Sequence, residues 1–231
     1  MPTISERLQQ VRTRILHAER AAQRSPASVK LLAVSKTRSI AEIRDAIAAG
    51  QTAFGESYVQ EAVAKITDLA EASLEWHFIG PIQSNKTALI AGHFDWVHSV
   101  ERLKIAQRLN DQRGEREPLN ICIQVNTSGE ASKAGVQAAE LVALAKAIRQ
   151  LPQLRLRGLM TIPAPEPDPA KQRVPFQQLK TYLGELNRMG MALDTLSMGM
   201  SDDLEAAIAE GATIVRIGTA VFGARPPKHK H

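Results

Sequence analysis

Two parts of the chain, far apart in sequence, carry residue types suited to chemistry. In "KLLAVSKTRS" (30–39), Leu31 to Val34 read as a short buried strand that delivers Ser35 and Lys36 just before a helix begins. A lysine there is either a solvated strand end or a nucleophile. The second role needs partial burial and neighbouring cations to lower its pKa, so that the free amine can attack a carbonyl; Arg38 and Lys86 are the candidate neighbours. Near the other end, "MGMSDDLEAAIAEG" (198–211) places Ser201 where it fits an N-cap, with Asp202 and Asp203 in the first turn and Gly199 free to turn tightly. "RIGTAVFG" (216–223) follows, where Gly218 permits close backbone approach and Thr219 opens a short helix with free amides. Either Ser201 and Thr219 simply cap helices, or two hydroxyls and two helix starts converge on an anion. Arg216 interrupts an apolar strand and never deprotonates, so it requires an acceptor. That acceptor is either a carboxylate on a neighbouring strand, such as Glu56, or a ligand.

The elements that must position these residues alternate regularly. Strands are expected at "LLAVS", "TAFGE", "WHFIG", "DWVHS", "NICIQVN", "RLRGLMT", "TLSMGM" and "TIVRIG". Helical patterns lie between them, including "SIAEIRDAIAAG", "QAAELVALAKAIRQL" and "VPFQQLKTYLGELNRMG". A leading helix within residues 1–28 has Ile4, Leu8, Val11, Ile15 and Ala18 at helical spacing, and Thr3 with Glu6 fits a capping box, as do Ser39 and Glu42. Strand–helix units repeated eight times force parallel strands and right-handed crossovers, which predicts a closed (β/α)8 TIM barrel. An open doubly wound sheet is the alternative, but no G-x-G-x-x-G follows the first strand. The proline-rich "IPAPEPDPAKQRVP" (162–175) reads as a loop over the barrel mouth, within a single domain spanning 1–231 that ends in a short basic tail, 224–231.

In such a barrel the working residues sit at the C-terminal ends of the strands, with a phosphate site after strands seven and eight. Lys36 at the mouth of strand one then faces an anion cup across a small opening, an arrangement suited to an aldehyde that carries a phosphate. Pyridoxal 5′-phosphate is such a molecule. Glu56, Ser57, Tyr58, Gln83, Asn85 and Lys86 are read as pocket-facing, and Asn126, Ser128, Met160 and Thr161 as walls or rim. His77 and His98 read as satisfied core residues, since no HxH or HExxH spacing supports a metal. The net charge of +5 is scattered, which suits a small anion better than nucleic acid. The single cysteine, Cys122, lies in an apolar run and excludes a disulfide framework. Neither an export signal nor a membrane span is evident, so a cytoplasmic protein is expected, and it is read as a monomer.

"AVSKT" (33–37), "FGESYVQEA" (54–62), "WHFIGPIQSNK" (76–86), "VHSVER" (97–102), "QVNTSGEASKAG" (124–135), "RGLMTI" (157–162) and "LSMGMSDDLEAAIAEGATIVRIGTAVFG" (196–223) together resemble the pyridoxal phosphate homeostasis protein family, collinearly over nearly the whole chain. The resemblance implies a barrel similar to the N-terminal domain of alanine racemase, with Lys36 as the Schiff-base lysine. It further implies that Ser201, Gly218 and Thr219 hold the phosphate, that Arg216 faces the pyridine nitrogen, and that Ser57 and Met200 line the cofactor. Family members usually carry Asn where this chain has Ser57, a shorter residue with fewer hydrogen bonds to offer. An arginine can donate to the pyridine nitrogen but cannot readily protonate it, so the cofactor would be a poor electron sink. The domain that supplies racemases of this fold with a second base is also expected to be absent. A non-catalytic carrier that regulates cofactor supply, with pyridoxal-phosphate-dependent apo-enzymes as its expected partners, is therefore favoured over an amino-acid racemase or a cofactor-free aldolase.

Overall fold

The computed structural model describes residues 2–128 and 134–224. After helix α1 (Ile4–Ala21), the chain runs β1 (Lys30–Val34), α2 (Ile40–Ala48), β2 (Ala53–Glu56), α3 (Val59–Asp68), β3 (Glu75–Phe78), α4 (Thr87–His93), β4 (Trp96–Val100) and α5 (Leu103–Asp111). It continues through β5 (Leu119–Gln124), α6 (Ala138–Ile148), β6 (Leu154–Met160), α7 (Pro169–Arg188), β7 (Thr195–Ser197), α8 (Leu204–Ala209), β8 (Ile214–Ile217) and a short α9 (Thr219–Phe222). All eight strands pair in parallel with their sequence neighbours, and β8 returns to β1 with Leu32 opposite Arg216. The barrel is closed, as the alternating pattern predicts. Apart from residue 224, the expected basic tail lies outside the described residues.

Strand alternation divides the apolar residues between two compartments. On β1, Leu32 points into the barrel with Ala53, Trp96, Cys122, Met160 and Ile214, while Ala33 joins the larger shell packed under the helices. The shell contains Leu8, Val11, Ile15 and Ala18, spaced by three and four so that one face of α1 is buried. Each fully buried leucine or isoleucine contributes about 1.5–3 kcal/mol. Both expected capping boxes form: Thr3 with Glu6, and Ser39 with Glu42.

Because α9 is only four residues long, α1 completes the outer ring, packing against α2, α8 and α9. Buried Glu19 then ties the end of α1 to the start of β1, accepting from Ala27 N, Ser28 Oγ and Val29 N at 3.1, 3.1 and 2.8 Å. Gly158 is required where β6 meets β7, since a Cβ there would lie 1.8 Å from the Thr195 carbonyl oxygen.

The proline-rich stretch departs from expectation. Helix α7 begins at Pro169, inside the segment read as loop, because Asp168 caps it by accepting from Ala170 N at 2.9 Å and proline suits a first helical position. Pro175 is carried within the helix.

Candidate functional site

The turn after β1 is held from below by a buried charge cluster. Ser35 extends the ladder by donating its N–H to the Gly55 carbonyl, and its hydroxyl donates to Glu56 Oε1 at 2.6 Å. Lys65 reaches in from α3, donating to the Ser35 carbonyl (2.8 Å), Glu56 Oε1 (2.8 Å) and Glu61 Oε1 (2.5 Å). Glu61 Oε1 also accepts the Thr37 N–H at 2.6 Å. That last contact fixes a residue that sterics oppose, since Thr37 is β-branched and has φ of 64°. Burial raises the Glu56 pKa and the Lys65 ammonium works against the rise. Lys36, half-buried, is presented between the anchored Ser35 and the anchored Thr37.

At the end of β7, Gly199 takes φ of +97°, and a Cβ there would lie 2.6 Å from that of Ala207, so only glycine fits. The following residues correct the cap expectation. Helix α8 begins at Leu204, and residues 201–203 form a turn in which Asp203 Oδ1 accepts from Met200 N at 2.5 Å. Released from capping α8, the Ser201 hydroxyl accepts from Ala220 N at 3.4 Å and so faces α9. Thr219 opens α9 as expected. At Gly218 a Cβ would come no closer than 3.4 Å to Val34, an ordinary contact, so the fold itself tolerates a side chain there. Its hydrogen leaves room in the cleft rather than in the core.

Arg216 is almost wholly buried and is not paired with Glu56, which Lys65 has taken. Two of its five N–H groups donate to Ser197 Oγ and the Thr161 carbonyl, both at 2.8 Å. Burial lowers its pKa to about 10, with Asp203 countering, and the guanidinium stays charged at neutral pH.

These pieces meet in one cleft of about 240 Å³ at the C-terminal mouth of the barrel. Lys36, Ser57, Met200, Ser201, Arg216, Gly218 and Thr219 all line it. Arg38 lines it too, bonded to the carbonyls of Phe222 and Gly223, whereas Lys86 does not. The set is predominantly cationic, with Asp202 the carboxylate among its lining residues, and it suits an anion with an apolar ring between Ile79, Ile162 and Val34. Gly80 lets the Ser57 loop approach, since a Cβ there would lie 2.4 Å from the Ser57 carbonyl oxygen.

Other expected pocket residues take different places. Tyr58 is half exposed and Glu56 belongs to the Lys65 cluster, while Gln83 and Asn85 are exposed outside the cleft. Met160 fills the barrel interior, Thr161 supports Arg216 from behind, and Asn126 Oδ1 accepts from Ser128. Sequence reasoning missed the Glu61–Lys65 support. Its signal was Lys65 falling in step with Val59 and Ala62 on the buried face of α3. His77 and His98 are satisfied core residues, as read, and bond to each other. Among the described residues no cluster of metal-ligating side chains is present, and no helix is long and apolar enough to cross a membrane.

Comparisons with known proteins place this geometry in context. A family model described as the alanine racemase N-terminal domain matches residues 7–226. The Pseudomonas aeruginosa protein named pyridoxal phosphate homeostasis protein is 61% identical over 226 residues, covering 97% of each chain. The protein of that name from Escherichia coli is 55% identical, covering 97% of this chain and 98% of its own. Among solved structures, PipY of Synechococcus elongatus with PLP bound superposes with a TM-score of 0.85 at 41% identity, covering 96% of this chain and all of its own. Alanine racemase from Corynebacterium glutamicum, at 19% identity and a TM-score of 0.69, shares the fold; 94% of this chain matches 62% of that one.

Proposed function

The chain belongs to the pyridoxal phosphate homeostasis proteins, within the alanine racemase N-terminal domain family, and we propose that it holds pyridoxal 5′-phosphate reversibly on Lys36 as a non-catalytic carrier. The observation that carries this reading is the convergence of Lys36, Arg216, Ser201, Gly218 and Thr219 on one cleft, from segments some 180 residues apart. When bound, the cofactor supplies an aldehyde that condenses with an amine, forming a C=N bond and releasing the carbonyl oxygen as water. Lys36 is that amine, half-buried and held by the anchored turn on either side. The hydroxyls of Ser201 and Thr219, with backbone at Gly218, take the phosphate, and Arg38 adds positive charge nearby. Arg216, fixed in a buried position by Ser197 and Thr161, would donate toward the ring nitrogen.

The same residues argue against turnover. Racemisation needs one group to remove the α-proton and a second to return it on the other face. Among the described residues neither Tyr58 nor Tyr182 lines the cleft, and Asp202 follows directly on Ser201, at the phosphate end. An arginine facing the ring nitrogen would donate a hydrogen bond to it without giving it a proton, so the bound group would be a poor electron sink. Delivery of the cofactor to pyridoxal-phosphate-dependent apo-enzymes, by a monomer in the cytoplasm, fits a site that binds covalently yet opens to solvent.

Borohydride reduction of the cofactor-loaded protein followed by peptide mapping tests the assignment. The label is expected on the peptide containing Lys36 and is expected to vanish in Lys36→Ala. A label on Lys86 or Lys133 in the wild type overturns it.

A further inference from the structure

The mechanism above uses Arg216 but not the polar residues buried behind it. Arg216 Nη1 donates to Ser197 Oγ at 2.8 Å, Ser197 Oγ contacts His98 Nδ1 at 2.7 Å, and His98 Nε2 contacts His77 Nδ1 at 2.8 Å. His77 Nε2 contacts Glu75 Oε1 at 2.5 Å, and Glu75 Oε1 also receives Lys30 Nζ at 2.7 Å. The two histidines and Ser197 are fully buried, Trp96 stacks on His77 with ring centroids 5.4 Å apart, and Arg157 lies over Trp96. Glu75 and Lys30 line a separate cleft of about 420 Å³ at the opposite, N-terminal mouth, together with Arg12 and Gln51. One polar file thus crosses the barrel from end to end.

The two ends fix the direction of every bond between them. A guanidinium only donates, and an ionised carboxylate only accepts. Glu75 therefore takes the N–H of His77 Nε2, which leaves His77 Nδ1 as an acceptor when the ring is neutral. His98 must then donate from Nε2 and accept at Nδ1, and the Ser197 hydroxyl, already accepting from Arg216, donates to it. Every donor points from the upper mouth to the floor, and every polar atom in the file is satisfied with both imidazoles neutral. Burial favours that neutral form in both rings, against Glu75 and Asp95, which draw His77 the other way; Lys30 and Arg216 disfavour a charged His98.

We propose that Glu75, His77, His98 and Ser197 are positioning residues that orient Arg216 toward the bound cofactor through this one-directional chain, so that a carboxylate at the barrel floor tunes a ligand at its mouth. The proposal rests on the cofactor reading above. Breaking the file at Ser197 leaves Arg216 Nη1 without its acceptor and frees the guanidinium to swing; removing the Glu75 charge takes away what fixes the file's direction.

The first test needs neither a variant nor the cofactor. In protein labelled with ¹⁵N-histidine, both buried rings are expected to carry their proton on Nε2, with an unprotonated Nδ1, at neutral pH. A proton on His98 Nδ1, or a doubly protonated ring, overturns the proposal. The second test loads pyridoxal 5′-phosphate and compares Ser197→Ala, Ser197→Thr and Glu75→Gln. A shifted visible absorption maximum and dissociation faster by about tenfold are expected in Ser197→Ala, with both restored in Ser197→Thr, and a smaller shift of the same sign in Glu75→Gln. Wild-type spectra and dissociation rates in both Ser197→Ala and Glu75→Gln overturn it. Borohydride attachment at Lys36, scored in the same samples, separates the two ideas. A wild type that attaches nothing sinks the cofactor reading and leaves the tautomer result to decide the chain.

Discussion

Acidification should weaken the fold through the two buried histidines before most carboxylates titrate. Burial lowers the pKa of His77 and lowers that of His98 further, from a reference of 6.5. The unfolded chain therefore binds more protons than the folded one below about pH 6.5, and stability must fall as pH drops through that point. A histidine that stays neutral in the folded state forfeits about 1.4 kcal/mol at about pH 5.5 relative to pH 8, so the pair together accounts for at most ~2.8 kcal/mol. Glu56 acts in the opposite sense, because its raised pKa makes the folded state hold a proton more tightly, and it trims the fall. Glu75, held at about 2, keeps its stabilising contribution down to about pH 4.5 and stays outside this window. Denaturant midpoints at about pH 8 and pH 5.5, with the slope checked for constancy, measure the change. His98→Gln keeps a donor and an acceptor but cannot charge, so its loss on acidification should be smaller than that of the wild type by about 1.4 kcal/mol. An equal loss in the folded variant would refute the claim that His98 stays neutral.

Three further outcomes follow from the site. Ser201→Ala should weaken cofactor binding by about 1–2 kcal/mol, roughly tenfold, measured by fluorescence titration, while pyridoxal without phosphate should bind both proteins alike. Lys65→Met strands Glu56 as an uncompensated buried carboxylate, and should cost about 3–5 kcal/mol by denaturant unfolding, with part regained in Lys65→Met/Glu56→Gln. The loaded protein incubated with single L-amino acids in deuterated water should show no sustained α-deuterium incorporation; Lys36-dependent turnover near 1 per second would replace the carrier by an enzyme.

How much was legible depended on whether the signal was local. The eight strands stood out because each is a short apolar run between helical patterns, and the seven expected site residues were found together because their positions at strand ends follow from the barrel. Ser201 was misread as a cap because a Ser-Asp-Asp run satisfies the same local rule whether it starts a helix or a turn. The Asp203 carboxylate accepts from Met200 N three residues back, closing a turn before α8 begins. Helix α7 was started late because proline density reads as loop until an aspartate caps the first proline. The file from Glu75 to Arg216 left no local trace. Its members come from four strands and up to 141 residues apart, and His98 on β4 meets Ser197 on β7 only across the closed barrel.

The pairing of β8 with β1 has a consequence for when the site exists at all. Lys36 leaves the ribosome some 180 residues ahead of its partners Arg216, Gly218 and Thr219, and only ring closure sets them beside it. A nascent or partly folded chain can display the nucleophile but cannot cradle the phosphate. Capture of the ligand is therefore coupled to completing the circle, and each bound molecule draws the folding equilibrium toward the closed form by mass action. Contacts of such long range are also slow to form, so readiness to bind trails synthesis of β8 by the time needed to join it to β1.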